Sequence, residues 1–143
     1  MPYRFIEDVS ISDAAFEAFG DTVEALFKAA AEATMNVMVE DLEKIENRER
    51  RRIEVEDDAY DMLLFQFLQE LIFYKDSERL LLRVEEIEIE RKNGNFRLSA
   101  EAFGEELDPE RHELNVDVKA VTLYRLSVEE TSHGWKAIVI LDI

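Results

Sequence analysis

The sequence predicts an α+β fold: a two-layer sandwich, mainly antiparallel sheet with two helices packed on one face. Three patterns carry that prediction. Two separate segments repeat apolar residues at helical spacing, several others alternate apolar and polar residues, and the second half of the chain is almost wholly of the alternating kind. At 143 residues the chain is long enough for one substantial core, and with two prolines and four glycines it has no linker. A single domain over 1–143 is therefore expected.

Taken in order, "YRFIE" and "AAFEAFG" read as short strands. A helix opens after Gly20, with Asp21 as its expected cap and Glu24 at the third helical position in a capping-box-like arrangement. Val23, Leu26, Phe27, Ala30, Thr34, Val37 and Met38 then form its inward face. "EKIENRERRR", from Glu43 to Arg52, gathers positive charge and is expected to be a solvated connection. "RRIEVE" alternates with Ile53 and Val55 inward, a strand. After Asp57 and Asp58 a second helix follows, with Tyr60, Leu63, Leu64, Phe67, Leu68, Leu71 and Ile72 as its stripe.

In "LLLRVEEIEIERK" the alternation runs on Leu80, Leu82 and Val84, then changes phase to Ile87 and Ile89. Such a shift at Glu85–Glu86 predicts a β-bulge. "KNGN" is a hairpin turn signal, and Phe96, Leu98, Ala100 and Ala102 line one face of the returning strand. "VDVKAVTLYRLSVEE" alternates throughout and predicts one long strand, with Val116, Val118, Ala120, Thr122, Tyr124, Leu126 and Val128 on one side. "SHG" turns it into the terminal strand "WKAIVILDI".

Charge narrows the function. Seventeen basic against 34 acidic residues give a net charge of −17, a surface that repels phosphate backbones and suits a cation or a basic protein surface. Direct nucleic-acid binding is not expected. No apolar run approaches the roughly 20 residues that span a bilayer, and the N-terminus lacks the basic and apolar regions of a signal peptide. The default expectation is cytoplasmic, without membrane attachment. The absence of cysteine excludes disulfides, thiolate chemistry and cysteine-based zinc sites.

No nucleophile–base constellation and no phosphate-binding glycine loop can be read. His133, in "TSHGW", reads as a turn residue, and His112, in "DPERHELN", reads first as a surface or structural histidine. "AFG" occurs twice, at 18–20 and 102–104, each time before an acidic residue. The carboxylates offer more. Asp13 lies in "SISDAA" between two strand-like segments, and Asp142 and the terminal carboxylate of Ile143 close an apolar strand. If that strand pairs beside the N-terminal ones, three carboxylates meet at one sheet end and repel, and a hard cation such as Ca²⁺ would neutralise them. Among 34 acidic residues some convergence also arises by chance. Lys119 points away from the apolar side of its segment, either to solvent or as a counter-charge near those carboxylates.

These residues resemble a known family. "DPERHELNVDVKAVTLYRLSVEE" followed by "WKAIVILDI" is similar to the C-terminal signature of the archease family, with its D-P-x-x-H, its [IV]-K-A-V-T and its closing strand ending D-I. "DAAFEAFGDTVEALFKAAAEA" resembles the family's N-terminal strand and first helix, and "DMLLFQFLQELIFYKD" its second helix. The resemblance implies a protein cofactor rather than an enzyme. Its implied partner is the GTP-dependent tRNA-splicing RNA ligase, whose guanylylation and multiple turnover it would promote in tRNA splicing and RNA repair. It also implies a divalent metal, calcium or another, held by Asp13, Asp142 and Ile143, with His112 and Lys119 among the polar residues nearby. Two motifs depart from the family pattern. Ser10 stands where the motif H-T-A-D-I-G has its histidine, and "VTLY" replaces V-T-Y-H with Leu123 and Tyr124 in the last two places. Two alternatives stand beside this reading: a metal-dependent phosphoester hydrolase using His112 as its base, or a divergent acidic protein-interaction module.

Overall fold

Sixteen residues, Val23–Met38, form helix α1, and only one stripe of it is open: Ala25 and Lys28 are exposed, Glu24, Glu32 and Asn36 half-buried. The rest is buried because α1 packs against strands on two sides. In this computed structural model, which describes residues 2–7 and 9–143, the order is β1 (Tyr3–Ile6), β2 (Asp13–Gly20), α1, a 3₁₀ turn (Leu42–Lys44), β3 (Glu49–Asp57), α2 (Tyr60–Glu78), β4 (Leu80–Lys92), β5 (Asn95–Glu106), β6 (Ala120–Val121), β7 (Ser127–Thr131) and β8 (Gly134–Asp142). One sheet runs β1-β2-β8-β6, with β7 also on β8, and the other runs β3-β5-β4. Every strand pair is antiparallel.

The α+β class is as expected, with the strands divided between two sheets. The helices join them: α1 touches β1, β2 and β8 of the first sheet and β4 of the second, and α2 touches β3, β4 and β5 of the second and β6 and β7 of the first. Phe16, Phe27, Phe67, Leu71, Leu82 and Leu141 lie in the single core so formed. Tyr60 stacks on Phe96 at 4.0 Å and meets Trp135 edge-on at 5.2 Å, so the start of α2 ties β5 to β8. No described helix is long and apolar enough to cross a membrane.

Several local expectations hold. The register of β4 on β5 shifts between Val84 and Glu86, the bulge that the phase change predicts. Asn93 at φ 53° and Gly94 at φ 83° make the hairpin turn. Both "AFG" glycines have a reason in close packing. A Cβ on Gly20 would lie 2.4 Å from the Leu26 nitrogen, and one on Gly104 would lie 1.7 Å from the Leu81 carbonyl oxygen.

Three expectations are corrected. The cap of α1 is Thr22, whose hydroxyl accepts from the Ala25 N–H at 3.1 Å, because the helix begins at Val23 rather than one residue earlier. Residues 43–52 are not merely a solvated connection: Ile45 is buried and Glu49–Arg52 open β3. Their arginines bind carboxylates of neighbouring elements, Arg50 to Glu85 at 2.7 Å, Arg51 to Glu78 at 2.7 Å and Arg52 to Glu101 at 2.8 Å. The long strand over 116–130 is in fact two short ones. β6 takes the edge of β8 opposite Leu141 and Asp142, β7 takes it opposite Gly134 to Ile138, and residues 123–126 leave the sheet between them. Arg125 turns there at φ 56°, and Leu123 and Tyr124, expected in a strand, are exposed.

Candidate metal centre

Asp13 is the first residue of β2 and Asp142 the last of β8, and they sit directly opposite each other in the ladder. The Ile143 N–H donates to the Ser12 carbonyl at 3.0 Å, which makes Asp13 and Asp142 a non-hydrogen-bonded pair. In such pairs the Cα atoms lie about 4.5 Å apart and the side chains are closest. Alternation fixes the face. Ala14, Phe16 and Ala18 with Leu141, Val139 and Ala137 turn to the core, so Asp13 and Asp142 lie on the opposite face with Glu17 and Ile138.

Glu17, on the same face, is neutralised by Arg4 and by Lys136 at 3.9 Å. Asp13 and Asp142 form no side-chain hydrogen bond or ion pair with any described residue, so two like charges stand opposite each other uncompensated. A groove of about 550 Å³ opens beside Asp13, walled by Phe5, Ile6, Asn36, Glu40 and Asn115. The Asn115 amide donates to Glu40 at 2.7 Å. Ser10 shapes the turn into β2: its carbonyl accepts from the Asp13 N–H at 2.9 Å and its hydroxyl bonds that of Ser12 at 3.0 Å.

Lys119 reaches the pair through its main chain. Its N–H donates to the Asp142 carbonyl at 2.8 Å, while its side chain is exposed and makes no ion pair with a described residue. Tyr124 stands 70% exposed on the loop between β6 and β7. Ile143 packs partly against the core, which holds its main chain beside Asp142. Among the described residues no group of three histidine, aspartate or glutamate side chains gathers to hold a metal. The pair thus offers two hard carboxylate donors, a set that fits a divalent cation completing its shell with main-chain oxygen or water.

His112 has a different setting. It is buried, its Nδ1 accepts from the Asp108 N–H at 2.9 Å, and its Nε2 therefore carries the proton that goes to Glu105 at 2.9 Å. D-P-x-x-H is here a local clamp from Asp108 to His112. Glu105 also accepts from Arg111 at 2.6 Å and from the Glu46 N–H at 2.8 Å. Burial alone would push its carboxyl up, but these donors outweigh it and hold Glu105 at about 2. With both ring nitrogens engaged, His112 has no lone pair left for a metal or a substrate proton. The hydrolase alternative loses its candidate base.

Sequence reasoning missed Lys75 and Gln69 of α2. Lys75 is buried and bonds Asp117 at 2.6 Å, and Gln69 accepts from the Val121 N–H at 2.7 Å. The signal was present for Lys75, which falls on the apolar stripe after Leu68, Leu71 and Ile72.

The model of the archease protein family (MTH1598/TM1083) matches residues 3–143. The chain belongs to the archease family. It is 38% identical over 133 residues to the protein archease of Pyrococcus abyssi, covering 92% of this chain and 93% of that one. It is 34% identical over 142 residues to the protein archease of Methanosarcina mazei, covering 99% and 95%. The solution structure of Methanobacterium thermoautotrophicum protein 1598 superposes with a TM-score of 0.86 at 36% identity, over 99% of both chains. The crystal structure of an archease from Thermotoga maritima, described as a possible chaperone, matches with a TM-score of 0.60 at 16% identity over 94% and 93%, a likeness of fold.

Proposed function

We propose that this chain is a protein cofactor, not an enzyme, that activates the GTP-dependent tRNA-splicing RNA ligase through a divalent cation held at the β2–β8 end. The observation that carries the reading is the uncompensated Asp13–Asp142 pair, set on a chain of the archease family. Asp13 and Asp142 would hold the cation, calcium or another hard divalent ion, and Ile143 would add main-chain oxygen. The bound ion supplies positive charge at an otherwise acidic surface. The chain's own part is to fix two carboxylates on a rigid ladder and to present them beside an open groove. A net charge of −17 suits a partner that displays basic surface for RNA and GTP.

The test is guanylylation and multiple turnover of such a ligase, measured with and without this protein. Asp13→Ala and Asp142→Ala are each expected to abolish the stimulation while the circular dichroism of the chain stays unchanged. Undiminished ligase turnover with both variants would sink the reading. Isothermal titration with Ca²⁺ and Mn²⁺ provides the direct check on the cation.

A further inference from the structure

Burying an ammonium group is costly unless all of its protons find acceptors. Lys75, on α2, is 6% exposed, and its Nζ donates to Asp76 at 2.5 Å, to Asp117 at 2.6 Å and to the Val118 carbonyl at 2.7 Å. Its three donors are all used. Methionine would fill the same space with no charge to satisfy, so packing alone does not explain a lysine here. Asp117 is largely solvated, its side chain 65% exposed, so it is a weak reason to bury the charge.

The informative acceptor is Val118. The peptide unit joining Val118 to Lys119 has its carbonyl on the Lys75 ammonium, and its N–H donates to the Asp142 carbonyl at 2.8 Å. An ammonium on the oxygen of a peptide polarises it and strengthens its N–H as a donor. Six residues earlier on the same helix, Gln69 accepts from Val121 at 2.7 Å, so α2 grips this segment at two points. Without those grips residues 115–121 have little regular structure, since β6 is only Ala120–Val121.

We propose that Lys75 is a positioning residue for Asp142: through the Val118–Lys119 peptide it fixes the main chain that carries one carboxylate of the pair. The consequence for cation binding rests on the reading given under Proposed function; the consequence for the Lys119 N–H does not. The experiment combines amide hydrogen exchange by NMR with calorimetric titration of Ca²⁺, on the unaltered chain, Lys75→Met and Asp117→Asn. In Lys75→Met the Lys119 amide is expected to exchange at least about tenfold faster, relative to Val139 in the centre of β8. Its Ca²⁺ affinity is expected to fall by about tenfold or more, as when other outer-shell partners are removed. Asp117→Asn keeps the Lys75–Val118 bond and should stay within about twofold of the unaltered chain in exchange.

Equal Lys119 exchange in the two variants overturns the proposal. So does unchanged Lys119 exchange in Lys75→Met. If the unaltered chain binds no Ca²⁺, the cation reading fails and Lys119 exchange alone decides the role of Lys75. A measurement on the unaltered chain covers a variant that does not fold: the Lys75 ammonium protons should give a slowly exchanging NMR signal at neutral pH, and their absence overturns the proposal.

Discussion

Two acidic centres in this chain are treated in opposite ways. Glu105 is buried and saturated: Arg111, His112 and the Glu46 N–H all donate to it, and Arg48 lies at 3.4 Å. Asp13 and Asp142 face each other at a sheet end, and neither forms an ion pair with a described residue. The first centre is complete within the chain and serves to close it, pinning the segment after β5 to the turn before β3. The second is incomplete by itself, and a charge from outside would complete it. The difference separates a saturated carboxylate from an unpaired one better than exposure or count does, because all three carboxylates are at least half-buried.

The largest effect is expected at Glu105. Glu105→Ala leaves the His112 Nε2–H and the Glu46 N–H without their acceptor inside the protein. Removing one partner of a buried, hydrogen-bonded charge pair costs about 3 kcal/mol or more, here a fall in melting temperature of about 10 °C. Thermal denaturation measures it. A loss no larger than that of an exposed glutamate, Glu54→Ala for instance, would show that the cluster is not the lock the geometry describes.

A gentler test uses acid. The folded Glu105 carboxyl lies at about 2, below its ordinary value of 4.5. A group depressed in this way adds stability that is complete above about pH 4.5 and is lost as pH falls through about 2. Chemical denaturation across that window should show the unaltered chain losing stability more steeply than Glu105→Gln, which has nothing to titrate there. Parallel slopes would mean that other carboxylates carry the acid response.

The two centres also differ in how far the sequence reveals them. Asp13 and Asp142 could be anticipated because each stands at the end of a mainly apolar strand, and pairing the two strands brings the ends together. Glu105 could not, since its partners Arg48 and Glu46 arrive from a turn 59 residues away in the case of Glu46. Alternation also failed over 116–130, where it shows which side chains would share a face but not whether an edge of β8 is free along the whole length. There β6 and β7 each take part of that edge, and Tyr124 goes to solvent. Lys75 shows a third limit: a single charge on an apolar stripe signals burial, but its acceptor, the Val118 carbonyl, belongs to a main chain with no side-chain signature.

The smallest expected effect, at Asp142, has the opposite sign. Like charges directly opposite on two strands are destabilising, by roughly 0.2–1 kcal/mol for such a pair. With no cation added, Asp142→Asn should therefore raise stability, by about 0.5 kcal/mol or about 2 °C. Glu17→Gln, on the same face, should not, because Glu17 already has Arg4 and Lys136. Salt shortens the range of the repulsion, so the gain in Asp142→Asn should shrink between low and high ionic strength. Saturating Ca²⁺ should reverse the order, stabilising the unaltered chain and leaving the variant where it was. If Asp142→Asn is destabilising without cation, the carboxylate has a partner inside the protein, and the contrast with Glu105 no longer holds.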